Sequence, residues 1–290
     1  MLEDVQRYQL ALPGRGVELA LIDWGGTGAR VLLAHANGFC AALWDGVARR
    51  LRAHYRVFGF DARGHGDSSQ PPVPDAYGWS EFWLDAAAVA ERLPGEGPIY
   101  GIGHSFGGTA MLGAASRQPD LFARIAMLDP VLYLPEGEHT PERLARKRHM
   151  VEAAQRRRAV WPSRAELRAA YAERPLFANW EAAALDLYVD EGFRERDDGQ
   201  VELKCPGEIE GAVFAGSGAA ELDLYAAVER LSVPALLVWA RRGNFDRAAY
   251  EKLSALSRDM RIQDAPYGHL LPMEAPEAVA ELLVEFGREG

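Results

Sequence analysis

Cysteine is scarce in this sequence and long hydrophobic segments are missing, and each absence excludes a class of protein. The 290 residues include two cysteines, Cys40 and Cys205, which stand far apart and outside any CxxC pattern. That usage favours a reduced, cytoplasmic setting with unpaired thiols over a disulfide-bonded secreted domain. No apolar run approaches the ~20 residues that a helix needs to span a bilayer, and no apolar signal segment stands at the N-terminus. We therefore expect no membrane span.

Basic residues are also in deficit, with 32 Lys and Arg against 42 Asp and Glu and a net charge of −10. An acidic chain repels phosphate groups, which argues against nucleic acid and anionic lipid as general partners. Neither an HExxH motif nor paired cysteine and histidine spacing is present, so we predict no metal and no cofactor. The partner that these exclusions leave is a small-molecule substrate.

Short β-rich runs alternate with amphipathic helical patterns, which predicts an α/β fold with a doubly wound, mainly parallel sheet. The runs predicted as strands are Val17–Trp24, Val31–Ala34, Arg56–Phe60, Pro98–Gly103, Arg124–Leu128, Ala235–Trp239 and Arg261–Asp264. The alternation stops between about residues 131 and 231, where mostly helical patterns surround one hairpin signal at Asp197-Asp198-Gly199. We therefore predict a core domain of residues 1–130 and 232–290 and an inserted, mostly helical cap of residues 131–231.

The segment Gly103-His104-Ser105-Phe106-Gly107 matches the pattern G-x-S-x-G between a predicted strand and a predicted helix. A nucleophilic serine on such a sharp turn needs small residues two positions away on either side. The segment also resembles the dinucleotide fingerprint G-x-G-x-x-G, but Phe106 occupies the third glycine position and the turn is not the first βα turn. We therefore predict a nucleophile at Ser105.

A serine hydroxyl is a weak nucleophile until a base accepts its proton. His269 follows the last predicted strand and comes after the serine, as the order Ser…acid…His requires. A solvated loop histidine is the alternative, and His54, His139 or His149 would fit that description better. The developing oxyanion needs two N–H donors, which we predict to be the backbone amides of Phe106 and Phe39.

Four motifs in order along the chain resemble those of the α/β-hydrolase fold superfamily. They are Leu32-Leu33-Ala34-His35 with Gly38-Phe39, Asp61-Ala62-Arg63-Gly64-His65-Gly66-Asp67-Ser68, Gly103-His104-Ser105-Phe106-Gly107-Gly108 and Gly268-His269-Leu270-Leu271-Pro272. The resemblance implies that residues 131–231 correspond to the family's helical lid. A serine at position 105 resembles the esterase, lipase and carbon–carbon hydrolase branches. Epoxide hydrolases and haloalkane dehalogenases are disfavoured, because they use a carboxylate there.

The acid of the expected triad departs from the family pattern. The resemblance places it near Gly243, which carries no carboxylate. Asp246 lies a few residues later, but it could equally cap the following helix. Asp129 follows four apolar residues at the end of the predicted strand Arg124–Leu128, where a carboxylate needs a buried partner. We favour Asp129 over Asp246, with a structural role in the loop leading to the lid as the alternative for Asp129.

The predicted cap is unusually basic between residues 142 and 174, where ten Lys and Arg outnumber four Glu. We favour a solvated outer face over a patch that attracts an anionic or CoA-linked substrate. Aromatic residues near the predicted site suggest an apolar substrate pocket, in which we place Trp44, Tyr133 and Trp161 together with Phe39 and Phe106.

These expectations describe a serine hydrolase that cleaves a small to medium, largely apolar carboxylic ester through an acyl-enzyme, with Ser105, Asp129 and His269 as the triad. A carbon–carbon bond hydrolase or a thioesterase would use the same residues. A non-catalytic ligand-binding or sensor protein on a hydrolase fold is the alternative from another class.

Overall fold

A computed structural model describes residues 2, 4–73, 75–132, 140–216 and 220–289, and for 220–223 the backbone alone. The strands are β1 (Gln6–Leu12), β2 (Val17–Gly25), β3 (Arg30–Ala34), β4 (Arg56–Phe60), β5 (Ile99–His104), β6 (Phe122–Leu128), β7 (Val160–Trp161), β8 (Phe193–Glu195), β9 (Val201–Leu203), β10 (Ala235–Arg242) and β11 (Met260–Gly268). The helices are α1 (Asp45–Leu51), α2 (Trp79–Arg92), α3 (Phe106–Arg117), α4 (Pro141–Gln155), α5 (Arg164–Ala172), α6 (Ala182–Glu191), α7 (Gly207–Ala215), α8 (Ala220–Arg230), α9 (Arg247–Ser254), α10 (Leu271–Glu274) and α11 (Pro276–Gly287).

The central sheet has the strand order β1-β2-β4-β3-β5-β6-β10-β11. Its neighbours from β4 onward pair in parallel, while β1 and β2 are antiparallel additions at one edge. β3 and β5 are buried along their whole length, because helices cover both faces of the sheet. The predicted doubly wound, mainly parallel α/β architecture is confirmed. Sequence analysis does not identify β1, a polar edge strand with mostly exposed or half-buried side chains.

The segment between β6 and β10, called here the inserted segment, contains α4–α8 and a separate sheet of order β7-β9-β8. The turn at Asp197-Asp198-Gly199 joins β8 and β9 as an antiparallel pair, and Gly199 takes the positive φ of 78° that such a turn requires. The mostly helical pattern and the hairpin predicted for this stretch agree with α4–α8 and with β8 and β9, whereas β7 was not expected. The buried side chains of the inserted segment are continuous with the hydrophobic clusters of the central sheet.

Parallel strands bring their carboxyl ends to one edge of the sheet, and this edge holds the residues that the motifs single out. Ser105 follows β5, Asp129 follows β6 and His269 follows β11. The loop His35–Phe39 follows β3, which pairs with β5 such that Ala34 lies opposite Gly103. Four chain segments that are distant in sequence therefore meet around one point.

Both cysteines are buried free thiols. Burial raises the pKa of each thiol well above its usual range. Within the described ranges, none of the helices has the length and apolar character needed to cross a bilayer.

Candidate active site

Ser105 lies at the sharp turn between β5 and α3 with backbone angles φ 52° and ψ −118°. A positive φ is unusual for a residue with a side chain and is typical of strained functional turns. The turn is tight, because a Cβ at Gly103 would lie 2.3 Å from the Gly107 carbonyl oxygen and one at Gly107 would lie 2.3 Å from the Ala34 carbonyl oxygen. The two glycines of the motif are therefore required by space.

His269 joins the serine to a carboxylate through both ring nitrogens. Its Nε2 lies 3.0 Å from Ser105 Oγ, and its Nδ1 lies 2.6 Å from Asp129 Oδ2. With a proton on Nδ1, the imidazole donates to the carboxylate and offers Nε2 as the acceptor for the serine proton. The structure brings the three predicted triad residues together in one hydrogen-bonded chain.

Asp129 is fully buried, with no exposed surface. Besides His269, its carboxylate accepts a hydrogen bond from the Ala240 amide at 3.1 Å, and its own amide donates to the Val238 carbonyl at 2.8 Å. Its φ of 45° is again positive. The Tyr250 hydroxyl donates to the carbonyl of the next residue, Pro130. Contacts with β10 and α9 thus fix the carboxylate in front of the imidazole.

The other two positions considered for the acid have different roles. Asp246 is the N-cap of α9 and accepts a hydrogen bond from the Ala248 amide at 3.1 Å. A Cβ built at Gly243 would lie 2.6 Å from Asp129 Oδ2. Position 243 therefore faces the same space from β10 that Asp129 fills from β6. With the carboxylate supplied by Asp129, only glycine fits at 243 without displacement.

His104, the residue before the serine, contacts the loop that carries His269. It is buried, and burial lowers its pKa to about 3, so its ring is neutral. Its Nε2 lies 2.7 Å from the carbonyl oxygen of His269 and can donate to it. From the other side of the loop, Glu274 accepts the Gly268 amide at 2.9 Å. The residue before the serine thus holds the loop that carries the base.

The loop His35–Phe39 is fixed by hydrogen bonds of its peptide groups. The Gly38 amide donates to Nε2 of His65 at 3.0 Å, and Nδ1 of the same ring donates to the Arg63 carbonyl at 2.9 Å. Burial lowers the pKa of His65 to about 3, so the ring stays neutral and accepts. The motif around His65 therefore supports the neighbouring loop.

The amide of Phe39, predicted as an oxyanion donor, is already engaged. It donates to the Ala36 carbonyl at 3.3 Å and so turns back into its own loop. The amide of Asn37 has no acceptor in the part of the chain that the structure describes. The amide of Phe106 is the first of α3, where backbone N–H groups lack intrahelical partners. The geometry thus supports Phe106 as a donor and favours Asn37 over Phe39 as the other.

The three residues predicted to line the substrate pocket lie in different places. Trp44 is buried and packs edge-on against His104, with ring centroids 6.5 Å apart. Trp161 is also buried, but it packs inside the inserted segment against Tyr171 at 5.8 Å. Tyr133 lies outside the described residues.

The basic stretch of the inserted segment is divided between surface and interior. Arg156 and Arg168 form ion pairs with Glu152 and Asp186 on the surface. Arg157, in contrast, is mostly buried and paired with Glu210. Burial opposes the charge of the guanidinium, but Tyr188 and Glu210 together raise its pKa above the usual value. This buried ion pair corresponds neither to a solvated face nor to an open anion site.

A cavity of about 270 Å³ lies beside the antiparallel strands β1 and β2 at one end of the sheet. It is lined by Tyr8, Cys40, Asp61 and the ion pair of Arg7 with Glu191. None of the predicted triad residues lines it. Burial raises the pKa of Asp61 to about 6, although the carboxylate accepts the amides of Ala41 and Asp67.

The eight-stranded sheet, the strained serine turn and the acid and histidine in the order Ser…Asp…His define an α/β hydrolase. The sequence pattern of the Alpha/beta hydrolase family matches residues 31–282. The chain therefore belongs to the alpha/beta hydrolase family, which confirms the resemblance seen in the motifs.

Relatives in this family differ in how much of their length matches. Lipase LipV of Mycobacterium tuberculosis is 28% identical over 279 residues, which cover 92% of this chain and 97% of the lipase. A haloalkane dehalogenase of Agrobacterium fabrum is 29% identical over 121 residues, only 42% of this chain and 38% of that protein. The crystal structure of E-2-(acetamidomethylene)succinate hydrolase superposes with a TM-score of 0.83 over 98% of this chain and 100% of that chain, at 21% identity. That likeness shows the fold.

Proposed function

We propose that the protein is a serine hydrolase that cleaves small to medium, largely apolar carboxylic esters through an acyl-enzyme. The observation that carries this proposal is the continuous hydrogen-bonded chain from Ser105 through His269 to the buried Asp129. The full-length similarity to a protein named as a lipase agrees with it. A serine at the nucleophile position separates it from the dehalogenase chemistry of the partial match.

The geometry supports a two-step reaction. Ser105 Oγ attacks the ester carbonyl carbon while His269 Nε2 accepts the hydroxyl proton, and Asp129 stabilises the resulting imidazolium. The tetrahedral intermediate collapses as His269 returns the proton to the leaving alcohol, which leaves an acyl group on Ser105. A water molecule, deprotonated by His269, then attacks the acyl carbonyl. The second tetrahedral intermediate collapses as the bond to Ser105 Oγ breaks and His269 returns the proton to that oxygen, which releases the carboxylic acid. The enzyme regains its starting protonation state.

The negative charge on the carbonyl oxygen needs donors that are in place before the reaction. We assign one donor to the amide of Phe106 at the N-terminus of α3, where the helix dipole also favours an anion. We assign the second to the loop His35–Phe39, through the amide of Asn37, because the amide of Phe39 already donates to Ala36.

We also propose that residues 131–231 form a cap over the site. The amide of Glu181, just before α6, donates to the Met273 carbonyl at 2.9 Å, beside the loop of His269. The ring of Phe39 contacts Trp180 and Tyr188 at centroid distances of 5.7 and 5.2 Å. The segment thus touches both loops that flank Ser105, which is itself only 7% exposed.

The cavity that adjoins Phe106 measures only about 10 Å³, and its lining combines Phe60 and Phe82 with the buried Asp85, which is paired with Arg63. We propose an uncharged acyl or alkyl group because the side chains that line this space beside Ser105 are mostly aromatic and aliphatic. Arg157, the buried cation near the loop His35–Phe39, is already paired with Glu210 and is not offered to a substrate carboxylate.

The proposal is tested with chromogenic esters of increasing acyl length, using the wild-type chain and Ser105→Ala. We expect turnover that is highest for short to medium chains and at least about 10⁴-fold lower in the variant. Hydrolysis that Ser105→Ala retains, or a wild-type chain inactive on every ester, would overturn the proposal. Turnover of thioesters but not of oxygen esters would correct the substrate class and leave the triad intact.

A further inference from the structure

We propose that Tyr188, supported by Arg157, is a positioning residue through which the inserted segment sets the geometry of the oxyanion loop His35–Phe39. The proposal rests on the proposed function, because it concerns the loop that would hold the oxyanion. The following contacts carry it.

The hydroxyl of Tyr188 reaches out of α6 and donates to the Gly38 carbonyl at 3.0 Å. Arg157 Nη2 in turn donates to the same hydroxyl oxygen at 2.8 Å. The tyrosine is 1% exposed, so this hydrogen bond is shielded from water. A hydroxyl that receives a bond from a cation is a better donor to its own acceptor, because the bonds in such a chain polarise one another.

The Gly38 carbonyl and the Phe39 amide are the two ends of one planar peptide group. Fixing the carbonyl therefore also fixes the amide, which closes the turn by donating to Ala36. Ala36 accepts this bond with the peptide group whose N–H belongs to Asn37. The contact from Tyr188 is thus passed to the proposed oxyanion donor through two rigid peptide planes.

Glu210 contacts the same loop from α7. Its main-chain carbonyl accepts Asn37 Nδ2 at 3.1 Å, and its carboxylate is paired with Arg157. A Cβ at Gly38 would lie 2.7 Å from Glu210 Oε1, and Gly38 has a positive φ of 79°. Only glycine therefore allows the loop and the ion pair to approach so closely.

A merely structural role would fasten the inserted segment to the core without affecting the reaction. Two features argue for more than that. Tyr188 donates to Gly38 and Glu210 accepts from the neighbouring Asn37, so both contacts involve consecutive residues of the oxyanion loop. The ion pair of Arg157 with Glu210 behind them is mostly buried. A buried ion pair is costly to form but holds its partners in one arrangement.

The test uses Tyr188→Phe with Tyr100→Phe as the matched control. Tyr100 also donates its hydroxyl to a main-chain carbonyl, that of Leu283 at 3.2 Å, and is buried at the opposite end of β5. For each chain, kcat and KM are measured on one chromogenic ester. The inhibition constant is measured for a trifluoromethyl ketone, which forms an oxyanion on the serine, and for the matching methyl ketone.

We expect Tyr188→Phe to lower kcat about tenfold, less than the 10²–10³-fold loss typical of removing an oxyanion donor itself. The inhibition constant of the trifluoromethyl ketone should rise by a similar factor, while KM and the methyl ketone change less than about twofold. Tyr100→Phe should leave all four values near wild type.

The proposal is wrong if Tyr188→Phe behaves like Tyr100→Phe, or if it raises KM and weakens both ketones equally while kcat stays unchanged. A wild-type chain that neither hydrolyses the ester nor binds the trifluoromethyl ketone more tightly than the methyl ketone would overturn the proposed function, and this inference with it. Wild-type activity with an unaffected variant would overturn the inference alone.

Discussion

The carboxyl edge of the central sheet and the inserted segment both contribute to the candidate site, but in different ways. The edge supplies the groups that react, Ser105, Asp129 and His269, each directly after a strand. The inserted segment supplies Tyr188 and Glu210, which form hydrogen bonds with the loop His35–Phe39, and the ion pair of Arg157 with Glu210 behind them. We infer that changes at the edge should remove catalysis, whereas changes in the inserted segment should only tune it.

The largest effect is expected for His269→Gln, which removes the base that Ser105 requires. We expect kcat/KM for ester hydrolysis to fall about 10⁴–10⁶-fold, because an unactivated hydroxyl is a poor nucleophile. The exposed His54 serves as the control, and His54→Gln should stay within about twofold of wild type. A His269→Gln chain that keeps its activity would show that the sheet edge does not supply the essential base.

The next effect separates the two carboxylates that the sequence offers. Asp129→Asn should lower kcat/KM by up to about 10⁴-fold, because an amide at this position favours the wrong imidazole tautomer. Asp246→Asn should change it less than about threefold, since Asp246 caps α9. Steady-state kinetics of the two variants decides the matter, and the reverse order would show that the acid lies after β10.

The stability of the folded chain at low pH should depend mainly on three buried histidines near the carboxyl edge of the sheet. Burial lowers the pKa of His35 to about 4 and of both His65 and His104 to about 3, against ~6.5 in an unfolded chain. Below pH ~6.5 the unfolded chain therefore binds protons that the folded chain does not, and the free energy of unfolding falls. Asp61, with its pKa raised to about 6, opposes this by one proton.

Urea unfolding at pH 7.5 and pH 5.0 measures the net effect of these groups on the free energy of unfolding. We expect this free energy to be lower at pH 5.0 by an amount on the order of 4 kcal/mol. His104→Gln should reduce this difference. His149→Gln, on the exposed helix α4 of the inserted segment, should not. Equal unfolding free energies at the two pH values, or an equal change in both variants, would contradict the assignment of neutral buried histidines.

The smallest of these effects concerns the space shared by β6 and β10. Gly243→Ala would place a methyl group 2.6 Å from Asp129 Oδ2, so we expect the carboxylate to shift and kcat/KM to fall about tenfold. Gly14→Ala is the control, because a Cβ there meets nothing within 4 Å. Full activity of Gly243→Ala would mean that Asp129 tolerates displacement and that the space at 243 is not critical.

The sequence predicts the edge well, because its chemistry lies in short motifs. The G-x-S-x-G turn requires glycines for reasons of space alone, and His269 is in the order that the fold demands. The position of Asp129 can be predicted because a carboxylate after four apolar residues must find a buried partner. The glycine at position 243 points to the same assignment, because the carboxylate of Asp129 fills the space that a side chain there would need.

The sequence predicts the inserted segment less well, because its contacts join residues far apart in the chain. In the sequence, Arg157 cannot be told apart from its neighbours Arg156 and Arg158, which are exposed. Only the structure shows that Arg157 is mostly buried against Glu210. The sequence predicts Trp161 in the substrate pocket, but an aromatic residue packed within the segment, as Trp161 is against Tyr171, has the same local pattern. The engaged amide of Phe39 depends on a turn hydrogen bond that no motif encodes.

The central claim is that His269 activates Ser105, and labelling with a fluorophosphonate probe followed by peptide mass mapping tests it most directly. We predict one adduct per chain, located on the peptide that contains Ser105, and a labelling rate at least about 10²-fold lower in His269→Gln. An adduct on another residue, or an equal labelling rate in the presence and absence of the imidazole, would contradict the claim.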